Sequence, residues 1–225
     1  LREIELSEAL GPRRPVANRL RICIPRSAAA LDIAGQFIAA LPVDQNLDVV
    51  IRECHARKAL ELLANGEVEI GIIRFRSEYR EYFEEQMTQR GLNFEVLNKY
   101  RYQVLLSKGH PLAQKETLQR SDLTDLPEIV HGDTFRQSGQ QEQRVTRKIY
   151  TVDRLAQLSL LEKIPNSYMW ASSMPDRCLR RWGFVQKACS DNQVIYHDAI
   201  AYNAQYNMSE IESEFLTYLF DHYHK

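Results

Sequence analysis

Residues 19–75 read RLRICIP (19–25), RSAAALDIAGQFIAAL (26–41), LDVVIREC (47–54), HARKALELLANG (55–66) and EVEIGIIRF (67–75). The first, third and fifth pieces are short β-branched runs, and the two between them repeat apolar residues at helical spacing. In the first helix Ala30, Ile33, Ala34, Phe37, Ile38 and Leu41 form one apolar stripe, with Ser27 placed as N-cap and Pro42 closing the far end. In the second, Ala56, Leu60 and Leu63 share a face, and Gly66 follows as the C′ residue. Strands joined by helices in this way imply right-handed βαβ crossovers and a parallel sheet.

Ligands of such sheets bind outside the carboxyl ends of the strands. Here those ends are Pro25-Arg26-Ser27, Glu53-Cys54-His55 and Arg74-Phe75-Arg76. Arg26-Ser27 opens a helix whose free N–H groups and dipole favour an anion. Arg74 ends the third strand, where a guanidinium can hold a carboxylate through two parallel bonds. The competing reading makes both arginines surface charges or ion-pair partners, with Glu53 as a candidate, and Ser27 only a cap. His55 is a further polar candidate at the second strand end.

Downstream, SEYREYFEEQMTQRG (77–91) reads as a helix or ordered loop stopped by Gly91, with Tyr79, Tyr82 or Phe83, and Met87 at helical spacing. A run this polar is a solvated face in most proteins. LNFEVLNKY and YQVLLS are strands, the second ending in the turn Ser107-Lys108-Gly109-His110-Pro111. A short turn capped by Ser121 or Asp122 leads to a strand over Glu128 to His131, and a helix is expected to start near Asp133 or Thr134. The stretch VDRLAQLSLLEKI is a helix, apolar at 152, 155, 158 and 161. YMWASS is a strand, Met174-Pro175 begins a short helix through Arg181, and VIYHDAIAYN is a long strand. The terminal helix turns Ile211, Phe215, Leu216, Leu219 and Phe220 inward.

With 225 residues there is length for one large domain or two small lobes. Lys and Arg number 29 against 30 acids, a net charge of −1, which argues against this chain gripping nucleic acid alone. Four cysteines (Cys23, Cys54, Cys178, Cys189) make no zinc spacing and read as reduced thiols in the cytoplasm. No apolar run approaches the roughly 18 residues a membrane span needs. No two of the nine glycines make G-x-G, and the Walker loop, H-E-x-x-H and G-x-S-x-G are missing. His222-x-His224 is a weak metal signal, read as exposed histidines. No catalytic residue, metal site or cofactor is assigned. Residues 1–18, charged and broken by Gly11, Pro12 and Pro15, read as a helix end or linker, and the start at Leu1 reads as that of a fragment.

In this order the pieces resemble the effector-binding domain of LysR-type transcriptional regulators. The resemblance rests on Glu53, on Leu60-x-x-Leu63, and on Gly66-Glu67-Val68-Glu69-Ile70-Gly71-Ile72 for the family's third strand. It continues with His110-Pro111-Leu112-Ala113 and with Ser121-Asp122-Leu123-Thr124-Asp125-Leu126-Pro127. The family's later glycine-containing pattern survives only as Leu158 to Ile164 with Tyr168-Met169-Trp170 and Pro175 downstream. The resemblance implies an α/β fold of two Rossmann-like lobes joined by two crossing strands, the type 2 periplasmic-binding-protein arrangement. Lobe one takes 19–102 plus 196–225 and lobe two 103–195.

The resemblance implies a small metabolite between the lobes, and the strand-end residues point to an anionic one, contacted by Arg26, Ser27, His55 and Arg74, with His131, Asp133, Thr134 and Phe135 facing them. DNA is reached only through a winged helix-turn-helix absent from this chain. The domain pairs as a homodimer, forms tetramers at full length, does not meet a membrane, and is not an enzyme. The apolar face over 28–41 is the expected pairing surface. One rival is a periplasmic solute receptor of the same fold. Another is a prephenate dehydratase-like enzyme, whose Thr-Arg-Phe is out of order here as Thr134-Phe135-Arg136.

Overall fold

A computed structural model describes residues 18–42, 46–132 and 147–223. The elements quoted above form as β1 (Arg19–Ile24), α1 (Ala28–Ala40), β2 (Asp48–Glu53), α2 (Ala56–Ala64) and β3 (Ile70–Arg76). Then follow α3 (Arg80–Gln89), β4 (Leu92–Arg101), β5 (Gln103–Ser107), β6 (Glu128–His131), β7 (Lys148–Thr151), α4 (Arg154–Lys163) and β8 (Tyr168–Ala171). The chain ends in α5 (Asp176–Trp182), β9 (Phe184–Lys187), β10 (Ile195–Asn203) and α6 (Glu210–His222).

These strands build two five-stranded sheets, ordered β2-β1-β3-β10-β4 and β7-β6-β8-β5-β9. In the first, β1 runs parallel to β2 and β3, and β10 returns antiparallel to β3 and β4. In the second, β6 is parallel to β7 and β8, while β5 is antiparallel to β8 and β9. The fold is therefore α/β with two lobes. The chain crosses once at Tyr102, between β4 and β5, and again between β9 and β10. The rings of Tyr102 and Tyr196 stack at 4.0 Å and 10°, which fastens the two crossings to each other.

Both faces of each sheet are covered, which is why β1 ends in three successive buried apolar residues, Ile22-Cys23-Ile24. Leu20, Ile22, Ile24, Ala30, Ala34, Phe37, Phe215 and Leu219 form the core under α1 and α6. Cys23, Leu60, Leu63, Ile73, Phe83 and Met87 form the one under α2 and α3. Leu105, Ile129, Leu158, Leu161 and Met169 pack in the second lobe, and Leu106, Leu118, Leu123 and Tyr168 line its other face. Ser27 caps α1, its Oγ accepting from the N–H of Ala30 at 3.3 Å. Gly66 follows α2 at a φ of 62°, the left-handed conformation that a Cβ disfavours.

Several expectations shift. The helix expected over 152–164 begins at Arg154, capped by Asp153, whose carboxylate accepts from Ala156 N–H. Val152 and Leu155 stay 72% and 61% exposed, because only the face carrying Leu158 and Leu161 reaches the sheet. Neither Ser121 nor Asp122 is the cap of the turn Arg120–Leu123. Gln119 is, and Asp122 reaches back to accept from its N–H at 3.0 Å. In α3 it is Phe83 that turns inward with Met87, leaving Tyr79 and Tyr82 at the surface. The helix expected near 133–134 lies outside the described residues, as does the segment 1–17.

Candidate functional site

The carboxyl ends of β1 and β3 meet the second lobe at Arg74. Its position on β3 lies directly opposite Asp198 on β10. The guanidinium donates from Nε to Asp198 Oδ1 and from Nη2 to Oδ2, each at 2.7 Å. The fork that was expected to hold a carboxylate thus holds one of the protein's own. Asp198 is 1% exposed and also accepts from the hydroxyls of Tyr100 at 3.0 Å and Tyr223 at 2.8 Å. Nη1 of Arg74 points to the Arg26 carbonyl (3.4 Å), the Ser172 hydroxyl (3.3 Å) and the Tyr102 hydroxyl (3.5 Å). The cation also lies 5.3 Å from the Tyr100 ring centre. Burial opposes the charge on Arg74, but Asp198 and the tyrosines more than offset it and hold its pKa well above the ordinary arginine value. Burial pushes the Tyr100 and Tyr223 hydroxyls well up, so both remain donors to Asp198.

Around this pair the lobes touch through few polar links. Ser172, just past β8, donates weakly to Ser27 at 3.5 Å. Arg154, the first residue of α4, reaches across so that its Nη2 donates to the Arg26 carbonyl. At the rim, Arg177 of α5 donates from Nε to Asp32 of α1 at 2.8 Å. Ala28, at the start of α1, packs against the second lobe's core. Burial depresses the basicity of Arg154, aided by Arg74 and Arg26 and opposed by Glu53 and Tyr102.

Of the residues chosen from the sequence, Arg26, Ser27 and Arg74 come together here, Arg26 through its carbonyl. His55 is exposed and caps α2, its Nδ1 accepting from the N–H of Lys58 at 3.3 Å. His131 ends β6 with its Nε2 2.7 Å from the carbonyl of Val152. Asp133, Thr134 and Phe135 lie outside the described residues. Sequence reasoning missed Asp198, Tyr102, Arg154 and Ser172. A polar residue inside the apolar run VIYHDAIAYN was a usable signal for Asp198. Nothing local marks Arg154 among the chain's many arginines.

A separate open groove lined by Phe37, Glu210, Glu214, Thr217, Tyr218 and Asp221 lies between α1 and α6. Phe37 is ten residues along α1 from Ser27, or roughly 15 Å at the helical rise, so this groove is distinct from the strand ends. Among the described residues no cluster of three His, Cys, Asp or Glu is placed to hold a metal. No helix among them is long and apolar enough to cross a membrane.

The model of the LysR substrate binding domain family matches residues 13–220. HinK, a LysR family transcriptional regulator from Pseudomonas aeruginosa, superposes with a TM-score of 0.61 at 16% identity, over 96% of this chain and 75% of that one. The effector-binding domain of a BenM variant gives 0.60 at 17% identity, covering 92% and 94%. That of QuiR in complex with shikimate gives 0.58 at 13%, covering 90% and 95%. At these identities the likeness is one of fold. No curated protein matches the chain.

Proposed function

The chain belongs to the LysR substrate-binding domain family, and on that premise we propose that its effector is a small anion held between the lobes. It is the ligand-sensing regulatory domain of a LysR-type transcription regulator. The observation that carries the anionic reading is the Arg154 guanidinium, drawn in against the Arg26 carbonyl where the two sheets face each other, with no carboxylate among the described residues paired to it. Buried cations need anionic or strongly polar partners, and serine and tyrosine hydroxyls beside them supply orienting bonds. We assign Arg26, Ser27 and Arg74 to this site, together with His55, His131, Asp133, Thr134 and Phe135 as further contacts of the effector.

The lobes are assigned to 19–102 with 196–225 and to 103–195. The domain acts by binding and not by catalysis, in the cytoplasm, as a homodimer that becomes a tetramer in a longer protein whose N-terminal domain reaches DNA. The periplasmic receptor is not favoured, since the matching family is that of the regulators.

The test is a thermal-shift panel of small carboxylates, each paired with its neutral amide. A carboxylate at 100 times its Kd stabilises by about 2.7 kcal/mol, or roughly 5–11 °C for a chain of this size. Stabilisation by the neutral members alone, or by none, would overturn the anionic reading.

A further inference from the structure

The three arginines differ in what already satisfies them. Arg74 has both edges of its guanidinium occupied, one by Asp198 and the other by the Arg26 carbonyl, Ser172 and Tyr102. Its side chain is 9% exposed and the carboxylate opposite it 1%. Displacing Asp198 would strand that carboxylate and leave two tyrosine hydroxyls without their acceptor, so an incoming anion gains little there.

Arg154 is the opposite case. Among the described residues its hydrogen bond goes to a neutral acceptor, the Arg26 carbonyl, and no carboxylate of the described residues lies within ion-pair distance of it. A guanidinium carries five donors in a planar fork. Here one bond serves a charge that is largely withdrawn from water, which Glu53 attracts from beyond ion-pair distance and Arg74 repels.

Resting on the reading of the interlobe region as the effector site, we propose that Arg154 receives the effector's anion, and that its bond to the Arg26 carbonyl is a latch exchanged for the ligand. Arg74 then serves as a positioning residue. Paired to Asp198, it holds the Arg26 carbonyl, Ser172 and Tyr102 in place around the site. The exchange links binding to lobe geometry. The bond given up runs from lobe to lobe, and the bonds gained run through the ligand, so the separation of α4 from the loop 25–27 follows the size of the ligand. An anion whose remaining atoms also reach Ser27 or Ser172 would close the two sheets, and one that cannot would leave them parted.

The experiment uses the full chain and the carboxylate of the thermal-shift panel that stabilises it most, with its primary amide as control. Calorimetric titration should show Arg154→Gln weakening the carboxylate about 10- to 150-fold, the loss of one charge-assisted contact, with the amide changed less than twofold. Arg154→Lys, which keeps the charge but not the fork, should fall between. Binding of the carboxylate by Arg154→Gln within twofold of the parent would overturn the assignment. So would Arg74→Gln, at a temperature where it is folded, losing carboxylate affinity while Arg154→Gln keeps it. If no carboxylate stabilises the parent, the anionic reading fails first and this inference with it. The latch is read separately by hydrogen exchange without ligand. Amides of residues 26–30 should exchange faster in Arg154→Gln than in the parent, and equal rates would overturn the latch.

Discussion

Replacing Asp198 by asparagine removes one charge at nearly constant shape. The carboxylate accepts four bonds, two from Arg74 and one each from Tyr100 and Tyr223. An amide in its place offers one acceptor oxygen and turns a donor NH2 toward donors. Summing four charge-assisted bonds would overstate the loss, because the unfolded chain hydrates the same groups. The appropriate quantity is the cost of stranding a buried cation by removing its partner, about 3–5 kcal/mol. For a chain of this length that lowers the Tm by roughly 6–20 °C. The assay is urea and thermal unfolding followed by circular dichroism and by tryptophan fluorescence. Both tryptophans, Trp170 and Trp182, lie on β8 and α5 of the second lobe, so fluorescence reports that lobe while circular dichroism reports both. The two signals should move together if the Arg74 contacts couple the lobes. The double variant Arg74→Met/Asp198→Leu should recover most of the loss, held back by the hydroxyls of Tyr100 and Tyr223 left without an acceptor and by Ser172, Tyr102 and the Arg26 carbonyl left without the Arg74 donor. A change below about 0.5 kcal/mol in Asp198→Asn, the range of an ordinary surface substitution, would refute the claim that this carboxylate neutralises a buried cation.

Two further outcomes follow from packing elsewhere in the first lobe. His197 is 4% exposed, stacks on Phe75 at 5.6 Å, and shares a 2.7 Å hydrogen bond with Ser77, while its Nδ1 has no partner among the described residues. Burial, then Arg80 and Lys99, lower its pKa, against weaker opposition from Glu84 and Asp198. The unfolded chain therefore binds this proton first as pH falls. Stability is full above the unfolded value of about 6.5 and declines as pH drops toward the depressed folded value. The urea midpoint should fall between pH 7.5 and 5.5, and less so in His197→Phe; equal slopes would remove His197 as the cause. A Cβ on Gly71 would lie 2.8 Å from Leu63 Cδ1 and 2.9 Å from Cys23 Sγ, so Gly71→Ala should destabilise by about 1–3 kcal/mol in urea titration.

How much of this was legible in the chain depends on how far each signal reaches. Within a turn or a strand the pattern suffices. Ser27 three residues before Ala30, the apolar stripe of α1 and the stop at Gly66 all concern neighbours, and all form as read. Where apolar residues outnumber the places that need covering, as at Val152 and Leu155, periodicity alone overextends the helix. It counts apolar residues without knowing where the sheet ends.

The return of β10 to the first sheet was legible only through the family resemblance; the sequence by itself determined the alternation of strands and helices and the placing of Arg26, Ser27 and Arg74 at strand ends. Those follow from local propensity and from the handedness of βαβ crossovers. Only the tertiary structure decided what those arginines face. Asp198 stands opposite Arg74 because β10 pairs with β3 in one particular register, across 124 residues of chain. A slip of one residue would turn that carboxylate to the other face of the sheet. Arg154 reaches the Arg26 carbonyl only because the second lobe folds against the first. Charge pairing acts through space and carries no period along the chain, so the partners of a buried charge emerge only when the sheets have met.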